Sequence, residues 1–287
     1  MKLALFSDEQ AGARIGLVID DKMIDVARHL SDVPRDMIGL INHWTGFRDS
    51  FESLAARERG DVPLKDVKLL APVPRPGKIF AIGLNYADHI AESGMPKPAE
   101  QVWFTKAVTS VNAPMATIEL PRVSTQLDYE AELAFVIGKR CRHVPAASAH
   151  EVIFGYCAAN DVSIRDWQLK TSQFVLGKSF DTHCPYGPWI ATPDEVGDPH
   201  ALGIRCLVNG EVRQESNTKE LIYNCFDQVA HLSRAMTLEP GDLILTGTPG
   251  GVGIGFKPPR WLVADDVVRV EIDRIGAIEG RVVAESA

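Results

Sequence analysis

Acidic and apolar residues alternate through Leu127-Asp128-Tyr129-Glu130-Ala131-Glu132-Leu133, just ahead of the apolar run 134–137. Side chains of a strand point alternately to its two faces. Asp128, Glu130 and Glu132 therefore share one face, and Leu127, Tyr129, Ala131 and Leu133 the other. Carboxylates crowded on a strand that leads into a core repel one another, and burying them is costly unless a cation sits among them. Oxygen donors of this kind suit a hard divalent ion, Mg²⁺ first, because it keeps waters that a substrate can displace. A solvated acidic face on a surface strand is the alternative. Asp161 weighs against it, because it follows the apolar run 152–159, where a second buried strand would end. A third carboxylate arriving at a strand end fits a three-ligand site with open positions.

A second candidate lies in Asn85-Tyr86-Ala87-Asp88-His89-Ile90-Ala91-Glu92, a stretch of helical character closed by Gly94 and followed by Pro96 and Pro98. His89 and Glu92 are three apart, so on a short helix the carboxylate can orient the imidazole and fix its tautomer. That is how a water-activating base is prepared. An exposed i, i+3 pair on a mobile loop is the plainer account. The glycine-rich stretch 246–255 lacks the Gly-Lys-Ser/Thr ending of a P-loop, and Pro258-Pro259 stands where a dinucleotide fold needs a helix. It reads as a tight turn that brings backbone amides and Thr248 to a site, or as a purely structural turn.

The elements that must position these groups are mostly strands. Three short strands at 2–6, 14–19 and 23–26 precede a helical pattern over 37–59, and the proline-rich stretch 61–77 then makes an extended connection. Strands are expected over 78–84, 102–105, 118–120, 130–137, 152–159, 187–191, 203–208, 242–247 and 265–272. Asn209-Gly210 marks a hairpin, and 224–236 carries a helical apolar face. The domain boundary falls in the proline-rich connection, giving a small accessory domain over 1–70 and a catalytic domain over 71–287.

With 287 residues and 45% hydrophobic content the chain can bury a substantial core, and a net charge of −8 without a Lys/Arg cluster argues against nucleic-acid or anionic-membrane surfaces. No apolar run approaches a membrane span, and the start Met1 to Glu9 is too short and too soon acidic for a signal or transit peptide, so the expected setting is cytoplasmic. Cys141, Cys157, Cys184, Cys206 and Cys225 are widely spaced with no CxxC pair, which suggests reduced packing residues. Trp103, Trp167 and Trp189 read as packing groups, and among scattered histidines His183 draws notice for its place after Lys178.

Taken together, ordered motifs from Lys78 onward resemble the fumarylacetoacetate hydrolase family. They are Gly83-Leu84-Asn85-Tyr86-Ala87-Asp88-His89, Phe104-Thr105-Lys106, Asp128 to Leu133, Asn160 to Gln168, Gly177-Lys178-Ser179-Phe180-Asp181 and Leu245 to Gly253. The flavour is that of the branch holding fumarylacetoacetate hydrolase domain-containing protein 2 and the 2,4-diketo-3-deoxy sugar acid hydrolases. The resemblance implies an α+β, β-rich fold, a roll of mixed β-sheet, with a small N-terminal accessory domain. It implies a metal on Glu130, Glu132 and Asp161, with Mn²⁺ or Ca²⁺ as substitutes for Mg²⁺, and a homodimer. It further implies a small keto acid substrate, with His89 and Glu92 as a catalytic dyad on a lid and Lys178 stabilising negative charge. Arg165, Gln168, Thr248 and Lys106 would bind substrate. The expected reaction is C–C hydrolysis of a 2,4-diketo, acylpyruvate-like acid through an enolate. Oxaloacetate decarboxylation, keto–enol tautomerisation or binding without turnover are the alternatives. Ala107 stands where relatives often have proline, and His183 replaces an aromatic residue, which bears on substrate choice.

Overall fold

The structure is a computed structural model that describes residues 1–8, 12–94 and 96–286. Glu9, which ends the acidic start of the chain, lies outside them.

The chain opens with strands β1 (Lys2–Asp8), β2 (Gly12–Ile19) and β3 (Lys22–Asp25), followed by helices α1 (Met37–Asn42) and α2 (Trp44–Arg57). The single helix expected over 37–59 is thus two, because His43 leaves helical geometry and its ring bonds back to the Gly39 carbonyl. Across the proline-rich connection lie β4 (Val62–Pro63) and β5 (Lys68–Leu70), then β6 (Ile79–Gly83), α3 (Ala87–Ser93) and β7 (Val102–Thr105). Next come β8 (Val111–Asn112), β9 (Ile118–Leu120), β10 (Leu127–Asp128) and β11 (Ala131–Ile137). They lead to β12 (Ile153–Asn160), β13 (Ser163–Ile164), α4 (Arg165–Gln168) and β14 (Cys184–Ala191).

After α5 (Pro193–Val196), β15 (Gly203–Val208) and β16 (Glu211–Asn217) form the expected hairpin, with Asn209 at φ 53° and Gly210 at φ 81°. Positive φ at both turn residues matches the twist of the flanking strands. Helix α6 (Cys225–Ala235) starts at a capping box in which Asn224 accepts from the Asp227 amide and Asp227 accepts from the Asn224 amide. Last are β17 (Leu243–Leu245), β18 (Val267–Ile272) and β19 (Gly276–Ala284).

The large sheet runs β4-β3-β2-β1-β14-β12-β11-β17-β6-β7, with β5 on β1 and β8 on β14. A second sheet runs β16-β15-β18-β19-β9, and β10 pairs with β13 alone. Most pairs are antiparallel, but β17–β6, β14–β8 and β19–β9 are parallel, so the sheets are mixed. Strand β1 hydrogen-bonds to β14, which makes the N-terminal strands part of the same sheet as the site.

Every residue of β11 is buried, so its neighbours fill both faces. Leu133, Phe135 and Ile137 pack toward the second sheet with Ile204, Val268 and Val270, while Ala134 and Val136 pack with Leu40, Phe51 and Leu243 on the other side. A strand buried on both faces belongs to the centre of a domain. Four of the cysteines are buried and Cys141 is half-buried, all without disulfides, and burial pushes the Cys184 thiol up to about 12. No helix among the described residues is long and apolar enough to cross a membrane.

Candidate metal centre and active site

The acidic residues meet where a ladder breaks. Strands β11 and β12 are antiparallel with Ala131 opposite Asn160 and Glu132 opposite Ala159, and one step further the Asp161 amide donates to the Glu130 carbonyl at 2.9 Å. Beyond that step both chains switch to the separate β10–β13 pair, with Asp128 opposite Ser163. The expected strand therefore stops short of Glu130 and divides in two around Tyr129 and Glu130. At this junction Glu130, Glu132 and Asp161 bring carboxylate oxygens within 4.8 Å of one another. Asp128 and Asp161 are fully buried, Glu132 is 1% exposed and Glu130 6%, which rules out a solvated acidic face.

Buried carboxylates need compensation, and cations surround three of the four. Lys178 Nζ lies 2.6 Å from Glu130 and 2.7 Å from Asp161. Arg165 bridges Asp128 at 2.7 Å and Glu130 at 2.6 Å. Lys106 reaches Asp161 at 2.6 Å and also donates to the Lys178 carbonyl. Burial alone would raise the Glu130 carboxyl, but Lys178 and Arg165 outweigh it and hold it at about 2. Burial lowers the Lys178 ammonium less than Asp161 and Glu130 raise it, so it stays charged.

Glu132 is different. It accepts from the Gly247 amide at 2.6 Å but has no ion pair among the described residues. Burial, then Asp161 and Glu130, push its carboxyl well above the ordinary 4.5. The set therefore fits a divalent cation, since three hard oxygen donors converge and the one without a counter-charge is raised. Removing Glu130 leaves two buried cations short of a partner, so Glu130→Ala is expected to lower unfolding free energy by about 3 kcal/mol or more. Urea denaturation checks this, with Glu130→Gln expected to lose less.

The glycine-rich segment does bring its amides to the site, and their partners are carboxylates of the protein itself. Besides Gly247 to Glu132, the Gly251 amide donates to Glu92 at 3.0 and 3.1 Å, while the Gly253 and Ile254 amides donate to Asp128 at 2.7 and 3.0 Å. Gly251 has φ 96°, and a Cβ there would meet the Arg213 carbonyl at 2.0 Å, so only glycine fits. Asp88 fastens α3 to the same loop and to Ser216 at 2.6 Å. His89 Nδ1 stands 3.5 Å from Glu92, on the face of α3 that meets the cavity.

That cavity, about 450 Å³, is lined by His89, Glu92, Glu130, Arg165, Gln168, Lys178 and Thr248 among others. Seven residues assigned from the sequence are thus brought together, with Glu132 and Asp161 directly behind Glu130. Lys106 is the exception. Its side chain is wholly buried against Asp161 and, like Glu132 and Asp161, is not part of the cavity wall, so in this structure its partner is a carboxylate of the protein. Arg165 Nη2 is a buried donor without a partner among the described residues. Gln168 Oε1 accepts from Arg165 Nη1 at 2.8 Å, and Thr248 Oγ1 accepts from Gln214 at 2.8 Å, leaving the Thr248 hydroxyl hydrogen to donate. Gly177 sets Lys178 in place, because a Cβ there would meet the Gln168 backbone nitrogen at 2.2 Å.

His183 lies fully buried with Nε2 2.7 Å from the Glu119 carbonyl, and burial drives it down to about 3, so it is a neutral packing residue. Trp167 packs edge-on against Phe180 at 5.4 Å. Asp128 is the residue whose part the sequence did not disclose. It shares the acidic face yet turns to Arg165 and the loop amides.

Residues 78–283 match the family profile described as Fumarylacetoacetate (FAA) hydrolase C-terminal. The chain is 42% identical over 288 residues to "Oxaloacetate tautomerase fahd2, mitochondrial" of Xenopus laevis, covering 99% of this chain and 90% of that one. Among solved structures it resembles maleylpyruvate hydrolase from Sphingobium sp. SYK-6 in complex with manganese(II) ion and pyruvate, with TM-score 0.84, 35% identity and full coverage of both chains. Fumarylacetoacetate hydrolase from Exiguobacterium antarcticum aligns with TM-score 0.84 and 37% identity over 99% of this chain and 100% of that one. On this profile match, these relatives and the strand-rich mixed fold, the chain belongs to the fumarylacetoacetate hydrolase family, near the branch of domain-containing protein 2.

Proposed function

We propose that this chain is a divalent-metal-dependent enzyme that carries a small 2-keto acid through its enolate, with oxaloacetate keto–enol tautomerisation as the first reading. The observation that carries it is the buried convergence of Glu130, Glu132 and Asp161 beside an unpartnered Arg165 donor. Held by those carboxylates, Mg²⁺ or Mn²⁺ would supply Lewis acidity toward a substrate oxygen. The manganese and pyruvate named with the Sphingobium enzyme support that chemistry.

The protein's own groups do the rest. Four carboxylates, Asp128, Glu130, Glu132 and Asp161, face three cations, Lys106, Lys178 and Arg165, so adding a dication turns the floor net positive. A substrate carboxylate is then drawn to it. Arg165 Nη2 and the Thr248 hydroxyl are free to donate to that carboxylate, and the Lys178 ammonium stabilises charge developing on the keto oxygen. Apolar walls from Ile82, Leu84, Phe104, Phe174 and Val252 keep bulk water away. Moving one proton between carbon and oxygen needs a single base at the wall, and His89 is placed to be it.

C–C hydrolysis of an acylpyruvate is the second reading, favoured by Glu92 standing 3.5 Å from His89 where it can orient the ring toward a water. Both readings share the metal. Chelation followed by desalting is expected to abolish loss of the oxaloacetate enol absorbance and acylpyruvate cleavage alike, and Mg²⁺ or Mn²⁺ to restore them. Full rates in chelated protein would remove the metal from the reading. Homodimeric assembly belongs to the same proposal, and light scattering of the purified chain tests it.

A further inference from the structure

The cavity has a second polar end that the chemistry above leaves unused. Lys257 lines it from an exposed position, two residues past the 3-10 turn Gly253–Gly255. The cations at the floor are committed, Arg165 to Asp128 and Glu130, and Lys178 to Glu130 and Asp161. Nearby, Arg260 is held by both oxygens of Glu211 at 2.8 and 2.9 Å. Lys257 has neither a hydrogen bond nor an ion pair among the described residues.

Between floor and mouth the walls are apolar, with Leu84, Phe104, Leu169, Phe174 and Ile254 in the lining. Leu169 is 61% exposed and Ile254 36%, so the exposed part of the lining that includes Lys257 also carries apolar side chains. A ligand filling such a site is polar at both ends and apolar between. The keto-acid end is taken by the floor, and the far end meets the Lys257 ammonium, the one lysine or arginine of the lining with no protein partner among the described residues.

We propose that Lys257 is a specificity-determining residue that selects 2-keto acids carrying a second, distal carboxylate over those ending in an ester or methyl group. This rests on the keto-acid reading above and deepens it. An unpaired lysine is an inexpensive detector of this kind, because no internal ion pair has to break before the ligand's charge is met.

The test compares oxaloacetate with its distal methyl ester, which shares the skeleton but lacks the far charge, using Lys257→Met and Lys257→Glu in the full chain with Mn²⁺. The ratio of kcat/KM for the diacid to that for the ester is expected to fall about tenfold in Lys257→Met, mainly through KM, and further in Lys257→Glu. Added salt is expected to shrink the wild-type ratio. An unchanged ratio overturns the proposal. So does an equal loss on both substrates with a displaced pH profile, which would assign Lys257 to the His89–Glu92 pair beside Gly255 instead. If the wild type turns over neither compound, the keto-acid reading has failed, and the subsite is then judged by calorimetry with Mn²⁺ and pyruvate or 2-oxoglutarate. A preference for the diacid that Lys257→Met removes supports the assignment, and a preference that survives it, or none in the wild type, rejects it.

Discussion

Glu132→Gln is expected to lose turnover by about a thousandfold while the metal-free protein becomes more stable at neutral pH. The two effects share one cause. Glu132 is the carboxylate of the trio without an ion pair among the described residues, pushed above its ordinary 4.5 by burial and by Asp161 and Glu130. A carboxyl raised in the folded state binds more protons folded than unfolded across the interval from the unfolded value up to the raised one. Stability therefore falls as pH rises through that interval, and the cost is fully present above it. Glutamine removes the cost and keeps an acceptor for the Gly247 amide, which sits at 2.6 Å. Thermal melts of chelated protein from pH 4 to 8 should show a falling stability in wild type that the variant flattens, while Mn²⁺ stabilises wild type alone. A variant that melts lower than wild type at pH 8 without metal would show that Glu132 is ionised and compensated in the metal-free fold.

His89→Ala separates reactions that need a base from one that does not. Tautomerisation and C–C hydrolysis both require a proton to be moved, and a positioned base typically contributes about 10²- to 10⁴-fold. Loss of carbon dioxide from oxaloacetate needs only stabilisation of the enolate, which Lys178 and the floor supply without the imidazole. The variant is expected to lose two or more orders of magnitude in the first two and much less in decarboxylation. Enol absorbance, acylpyruvate cleavage and carbon dioxide release, measured on one preparation, decide it. Equal losses in all three would deny His89 the role of base.

The metal trio was legible because strand alternation is strict and local. Glu130 and Glu132 needed only period two, and Asp161 needed only the end of an apolar run. Asp128 obeys the same alternation, but the ladder breaks between it and Glu130, and that break depends on β10 leaving β11's sheet to pair with β13. Contacts that join distant segments left no local signature. The Gly251 amide meets Glu92 across 159 positions, and Lys106 meets Asp161 across 55. Strand β19 was missed because Gly276 and Gly280 dilute its pattern, yet a Cβ at Gly280 would meet the Ala116 carbonyl at 2.7 Å, so close backbone approach requires glycine there. The small size of residue 280 is thus a mark of the strand's packing.

Strand β17, only three residues long, lies between β11 and β6 and is parallel to β6. Until residues 243–245 have been synthesised, β11 and β6 each present an open row of amides and carbonyls at the middle of the large sheet. The backbone ladder between the strand that carries Glu132 and the strand that leads to His89 is completed only by that wedge. Between the synthesis of β11 and that of β17 both edges stay uncovered, which makes this short segment the point where protection from aggregation and assembly of the reactive centre coincide.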